Sequence, residues 1–169
     1  MSNTSYITKA TEEFKNNVTS FKFNFYLLAK LPSAWFSGVR VKSMDYEKAE
    51  VTVPYKWFSQ NPFQSTYFAC LAMAAEMSTG LPCMMAIWKQ KPAISMLVVD
   101  LQAQFTKKAT NVTTFVCNDV QAVFETVEKA KKTGEGESVE TTAIGYDKDN
   151  DEVARFRVVW SFKVKGSKK

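Results

Sequence analysis

From Trp57 to Trp88 the chain carries a single formal charge, the carboxylate of Glu76. That charge closes the run Phe68-Ala69-Cys70-Leu71-Ala72-Met73-Ala74-Ala75, and a helix drawn through it has small residues on every side: Ala69, Ala72, Ala74, Ala75 and Gly80. A helix that is apolar all round belongs in an interior, and small side chains let a sheet approach it closely. The pattern therefore predicts a helix over residues 65–79, wrapped by a sheet. A bilayer is the other apolar interior, but Glu76 stands mid-span, where a carboxylate costs roughly 2.5–3.5 kcal/mol on insertion. Gly80 and Pro82 follow it, so no membrane span is expected. Burying a carboxylate is expensive unless it is paired or functional, and the stretch contains no cation. Any cationic partner for Glu76 must come from elsewhere in the fold or from another subunit.

The rest of the chain supplies the sheet. Residues 38–44 and 48–55 alternate apolar and polar side chains and meet at Asp45-Tyr46-Glu47 as a hairpin. Residues 95–105, 112–117, 138–146 and 153–164 read as further strands, the last two joined by an acidic turn at 147–151. That turn fails as a calcium loop: Glu152 stands where glycine is needed and Val158 where the bidentate Glu is needed. Residues 119–132 form a surface helix with Val120, Val123, Phe124 and Val127 on one stripe, stopped by Gly134. Near the start, Phe14, Val18, Phe21, Phe25 and Leu28 recur at helical spacing over residues 6–29, as one or two helices ended by Pro32. The expected organisation is a helical extension over 1–35, one α+β domain over 36–165 and a basic tail over 166–169.

Several function classes fall away on composition. The chain has no histidine, which removes Ser-His-Asp and Cys-His catalysis, histidine metal sites and any histidine general base. Cys70, Cys83 and Cys117 form no CxxC pair and read as reduced thiols, with neither a disulfide framework nor a metal site. The net charge of +5 is concentrated in the tail, where Lys163, Lys165, Lys168 and Lys169 leave 18 basic against 17 acidic groups in the remainder. No basic patch or motif points to nucleic acid. Lys9, Glu12, Glu13 and Lys15 interrupt any signal-peptide core, so a cytoplasmic location is expected and the sequons at Asn3, Asn17 and Asn111 are incidental.

Two residues compete for the start of the apolar helix. Asn61-Pro62 reads as an N-cap with Pro at N1 and Gln64 at N3, and Ser65 offers a second N-cap. If the helix begins at Ser65, the backbone N–H groups of Thr66, Tyr67 and Phe68 fall in its first turn. There they lack helical partners and carry the positive end of the dipole, an arrangement that can polarise a carbonyl oxygen.

The hairpin, the spacing Asn61-x14-Glu76 through a wrapped apolar helix, and the strand Val98-Val99-Asp100-Leu101-x3-Phe105-x3-Ala109 together resemble the hotdog-fold acyl-CoA thioesterases, in particular a little-characterised bacterial branch. The resemblance covers about residues 36–163. It implies an α+β hotdog fold, a curved antiparallel sheet around a central helix, assembled as a homodimer or a dimer of dimers with sites between subunits. In the phenylacetyl-CoA and hydroxybenzoyl-CoA types, a Gln or Asn stands 15 residues before the acid, and a backbone N–H eight before it binds the thioester oxygen. The matching positions here are Asn61, Glu76 and the N–H of Phe68. Where that family often has His-Gly-Gly, this chain has Tyr67-Phe68-Ala69, and for the Ser or Thr some members carry, Thr79 or Ser95 would substitute.

The implied activity is hydrolysis of an acyl-CoA or acyl-carrier thioester, with Glu76 activating water or attacking the carbonyl. Asn61 would orient that water or the carboxylate, and Thr79 is the candidate hydroxyl. Ser65, Tyr67, Ser95, Lys107 and Lys108 are expected to meet the substrate, the two lysines at the nucleotide end of coenzyme A. No metal is required, and no cofactor beyond coenzyme A as part of the substrate. Histidine is dispensable because the departing thiol has a pKa of about 8.5 and leaves with little help. A structural carboxylate in a dimer interface remains the other reading of Glu76, and a non-catalytic acyl-thioester or lipid-binding module the other reading of the chain.

Overall fold

The computed structural model describes residues 6–166. Two helices, α1 (Lys9–Val18) and α2 (Lys22–Lys30), and a short α3 (Pro32–Phe36) precede the hairpin of β1 (Arg40–Met44) and β2 (Ala49–Val53). The central helix α4 (Phe68–Ile87) follows, then β3 (Ile94–Phe105), β4 (Thr113–Cys117), α5 (Val120–Thr133), β5 (Glu137–Tyr146) and β6 (Glu152–Val164). The six strands form one antiparallel sheet in the order β1-β2-β4-β5-β6-β3.

Alternation decides which way each strand faces. Ala49, Val51 and Val53 of β2, Phe115 of β4 and Phe156, Val158 and Phe162 of β6 are fully buried, while Arg157 turns outward to pair with Glu140. The buried face receives α4, in which Ala74, Ala75, Ser78 and Thr79 are completely covered. Among the described residues, one helix is thus long and apolar enough to cross a membrane, but 72% of that segment is buried within the fold itself. The stripe of α5 is buried as expected, and the helix ends at Gly134 in the left-handed conformation, φ +73°.

Four local expectations are corrected. The central helix begins at Phe68 rather than at residue 65, because Thr66 N–H donates to the Ala109 carbonyl and Tyr67 N–H to that of Ser59. These bonds tie residues 60–66 into a turn with Gln64 at φ +59°. The helix also continues past Gly80 and Pro82 to Ile87, since Leu81, Cys83, Met85 and Ala86 on the following turns are all buried. Tertiary burial outweighs local propensity there. The N-terminal stripe breaks at Thr19–Phe21: Phe14 and Val18 are buried, whereas Phe21 and Phe25 are 76% and 63% exposed. Pro32 opens α3 rather than ending the helical extension. Of the expected basic tail, residues 167–169 lie outside the described residues.

Candidate functional site

The segment 61–68 is built by Asn61. Its Oδ1 accepts the N–H of Phe63 (2.9 Å) and of Ser65 (3.3 Å), and its Nδ2 donates to Ser65 Oγ (3.1 Å). This is a side-chain turn ahead of the helix, so neither Asn61 nor Ser65 serves as the N-cap. Tyr67 holds that position with no side-chain hydrogen bond. Among the described residues, the N–H groups of Phe68 and Ala69 have no acceptor, and they point out of the helix N-terminus. Of the three amides expected there, Phe68 alone is free; Thr66 and Tyr67 are spent on the backbone.

A cleft of about 680 Å³ lies in front of this terminus, lined by Asn61, Phe63, Tyr67, Phe68, Lys107 and Lys108 among others. Both lysines line this cleft just beyond β3. Lys107 Nζ, however, is held between Asp147 Oδ2 (2.8 Å) and Asp151 Oδ2 (2.7 Å), so it pins the β5–β6 turn. Among the described residues, Lys108 Nζ donates only to the Phe63 carbonyl, at 3.3 Å.

Glu76 lies elsewhere, two turns along α4. It faces a cavity of about 90 Å³ bounded by α2, Met96 and Trp160. Its side chain has no hydrogen bond or cation among the described residues, and burial raises its pKa above the ordinary carboxylate value. Thr79 is fully buried; it accepts the indole N–H of Trp160 at 3.0 Å and donates to the Glu76 carbonyl at 3.0 Å. Its hydroxyl therefore holds the turn that carries Glu76. Ser95 donates to the Lys163 carbonyl at the strand end and lines neither the cleft nor the Glu76 cavity.

Phe68 and Glu76 are eight residues apart on one helix, which separates them by roughly 12 Å along its axis. One chain therefore presents the amide donor and the carboxylate at two separate places. Around Glu76, the face of α4 carrying Ala69, Ala72 and Met73 is only half buried. The neighbouring edge strand β3 pairs with β6 alone and exposes Leu97, Val99, Leu101 and Phe105. Sequence reasoning missed Trp160 and the second free amide, that of Ala69. The first depends on a strand register no local pattern reveals, and the second on where the helix starts.

Residues 20–162 match the family described as a domain of unknown function, DUF4442. No curated protein matches the sequence significantly. Among solved structures, a Pseudomonas aeruginosa protein of unknown function described as a probable thioesterase superposes with a TM-score of 0.70 at 15% identity, over 94% of this chain and 98% of that one. A protein of unknown function from Chlorobaculum tepidum gives 0.71 at 14%, over 90% and 93%. A Haemophilus influenzae thioesterase gives 0.60 at 10%, over 83% and 87%. The curved sheet wrapped around α4 is the hotdog fold of these thioesterase structures.

Proposed function

The chain belongs to the DUF4442 family, and from that premise we propose that it hydrolyses an acyl-CoA or acyl-carrier thioester at a site shared by two copies of itself. The observation that carries this reading is the pair of unpartnered amides, Phe68 and Ala69, opening a cleft at the N-terminus of the helix that also bears the unpaired Glu76. Two copies of α4 lying antiparallel bring the Phe68 end of one to the Glu76 of the other. The half-buried Ala69-Ala72-Met73 face and the apolar edge of β3 support such a pairing, because a long unpaired edge strand invites a second chain.

The chemistry is then simple. The Glu76 carboxylate takes a proton from water, whose oxygen attacks the carbonyl carbon, or it attacks that carbon itself. The Phe68 N–H holds the developing oxyanion. The carbon–sulfur bond then breaks, and the thiolate, a good leaving group because its conjugate acid has a pKa of about 8.5, takes up the proton held by Glu76. After direct attack, water hydrolyses the Glu76–acyl anhydride, freeing the acid and supplying that proton. Thr79 and Trp160 act by fixing the turn that carries Glu76, and Asn61 by shaping the loop that leaves the amides free.

The engagement of Asn61, Ser65, Thr79 and Ser95 in internal hydrogen bonds favours a second reading, an acyl-thioester binding module without turnover. Incubating the pure protein with a panel of acyl-CoAs and following free thiol decides between them. Thiol release that is lost in Glu76→Gln establishes hydrolysis; binding without release establishes the second reading.

A further inference from the structure

Two hollows, each partly open to solvent, lie against the N-terminal helices. The smaller, about 90 Å³, has Glu76, Gly80 and Met84 of α4 on one wall and Phe23, Leu27 and Leu31 on the other. The larger, about 260 Å³, continues between Met84, Trp88 and the turn that joins α1 to α2. Phe23, Tyr26 and Met84 border both, and the two rings are stacked with centroids 5.3 Å apart at 17°. These three side chains border the junction between the two spaces.

Their floor is one ridge of α4 and its C-cap residue, Trp88. Glu76, Gly80, Met84 and Trp88 follow at four-residue spacing, which keeps them on one side of a helix. Gly80 keeps the ridge low, since a Cβ there would lie 3.2 Å from the Trp160 ring and 3.8 Å from Glu76 Oε1. At the far end stands Trp88, whose indole N–H is buried without a partner among the described residues.

The roof differs from one helix to the next. α1 is fastened to the end of α4 by the Phe14–Trp88 ring contact (5.2 Å) and the Glu13–Lys89 ion pair (2.7 Å). The side chains of α2 make no hydrogen bond or ion pair among the described residues, so α2 rests on apolar contact alone.

We propose that these spaces form one channel for an acyl chain, entered at Glu76, roofed by α2 and ending at Trp88, and that the substrate is an acyl thioester of about twelve to fourteen carbons. This rests on Glu76 being where the thioester reacts. Two independent measures give the length. The twelve residues from Glu76 to Trp88 span roughly 18 Å of helix axis, and an extended chain advances about 1.3 Å per bond, which corresponds to about fourteen bonds. The combined cavities, at roughly 30 Å³ for a group the size of water or methylene, hold about twelve. Met84 and the Phe23–Tyr26 stack stand partway along and set how far a chain can pass.

The test compares the full-length wild type with Met84→Trp, which fills the junction, and Phe23→Ala, which widens it, all shown to be folded by circular dichroism. Against saturated acyl-CoAs of four to sixteen carbons, the wild-type kcat/KM peaks near twelve, and Phe23→Ala moves the peak to longer chains. Met84→Trp moves it to shorter ones, cutting the preference for dodecanoyl over butyryl by about tenfold or more. A profile of the same shape in all three proteins overturns the channel.

Calorimetry with dodecanoate separates this inference from the hydrolysis it rests on. If no acyl-CoA is cleaved, yet dodecanoate binds the wild type and binds Met84→Trp about tenfold more weakly, the channel stands and the hydrolase reading falls. If acyl-CoAs are cleaved but dodecanoate binds both proteins equally, the hydrolase stands and the channel falls.

Discussion

The indole N–H of Trp160 on β6 donates to Thr79 Oγ1 at 3.0 Å, and both groups are buried. The same hydroxyl donates to the Glu76 carbonyl at 3.0 Å, so the sheet grips the central helix one turn beyond its only charge. Removing the hydroxyl strands a buried N–H, which costs about 1–3 kcal/mol. Thr79→Val should lose that much stability in urea unfolding, and Thr79→Ser, which keeps the oxygen, clearly less. Equal losses in the two variants would mean that packing of the methyl group, not the hydrogen bond, holds the turn.

Glu76→Gln is expected to lower kcat by roughly two to four powers of ten, the range for a lost general base, with the fold intact. Because burial raises the pKa of Glu76, the acid limb of the wild-type kcat/KM profile should lie above the range of an exposed carboxylate. A limb at the ordinary carboxylate value, or a fully active Gln variant, would leave Glu76 as scaffold.

The same burial fixes the sign of a stability change. Below the unfolded-state pKa of about 4.3 Glu76 is neutral in both states and costs nothing. As pH rises the unfolded chain ionises first and the folded one later, so stability is lost through the raised folded pKa. Glu76→Gln should therefore melt higher than wild type at neutral pH, with the gap closing near pH 4. A variant less stable at pH 7 would show that a partner for the carboxylate exists in the assembled protein.

How much of this was legible in the sequence depends on the range of the interaction. Alternation in β2 and β6 and the small residues of α4 are local signals: they place the strands to within two residues and the start of the wrapped helix to within three, but they stop that helix at residue 79, eight residues short of Ile87. The start of α4 was misplaced because Thr66 and Tyr67 bond to Ala109 and Ser59, partners that no helix-capping rule anticipates. The outward face of Phe21 and Phe25 was missed because a break of three residues between α1 and α2 rotates the stripe. The spacing of Asn61 and Glu76 says nothing of their geometry, since the two line different spaces in one chain. That Thr79 is spent on Trp160 follows only from the register of β6.

Lys107 and Lys108 are neighbours with different duties. Lys107 is already answered by Asp147 and Asp151, which raise its pKa, whereas Lys108, among the described residues, meets only the Phe63 carbonyl. Lys108→Ala is expected to raise KM for a CoA thioester several-fold with kcat nearly unchanged, the mark of a contact made equally in ground and transition states. Lys107→Ala should instead loosen the 147–151 turn, visible as faster amide exchange there. A larger KM effect from Lys107 than from Lys108 would reverse the assignment.

Phe68 allows the shared site to be tested directly. It is the first helical residue, where proline is tolerated because its missing N–H has no helical partner, and Tyr67 before it has φ −61° and ψ +133°, a conformation proline accepts in its predecessor. Phe68→Pro should fold, keep α4 and lose one oxyanion donor, lowering kcat by about 10²–10³. Glu76→Gln disables the other half. If Phe68 of one copy works with Glu76 of its partner, unfolding and refolding the two inactive variants together builds mixed dimers in which one site has both groups intact. With random pairing in a two-fold dimer, activity should return to about one quarter of wild type. If each chain holds a complete site of its own, mixing restores nothing, and the antiparallel pairing of α4 is refuted.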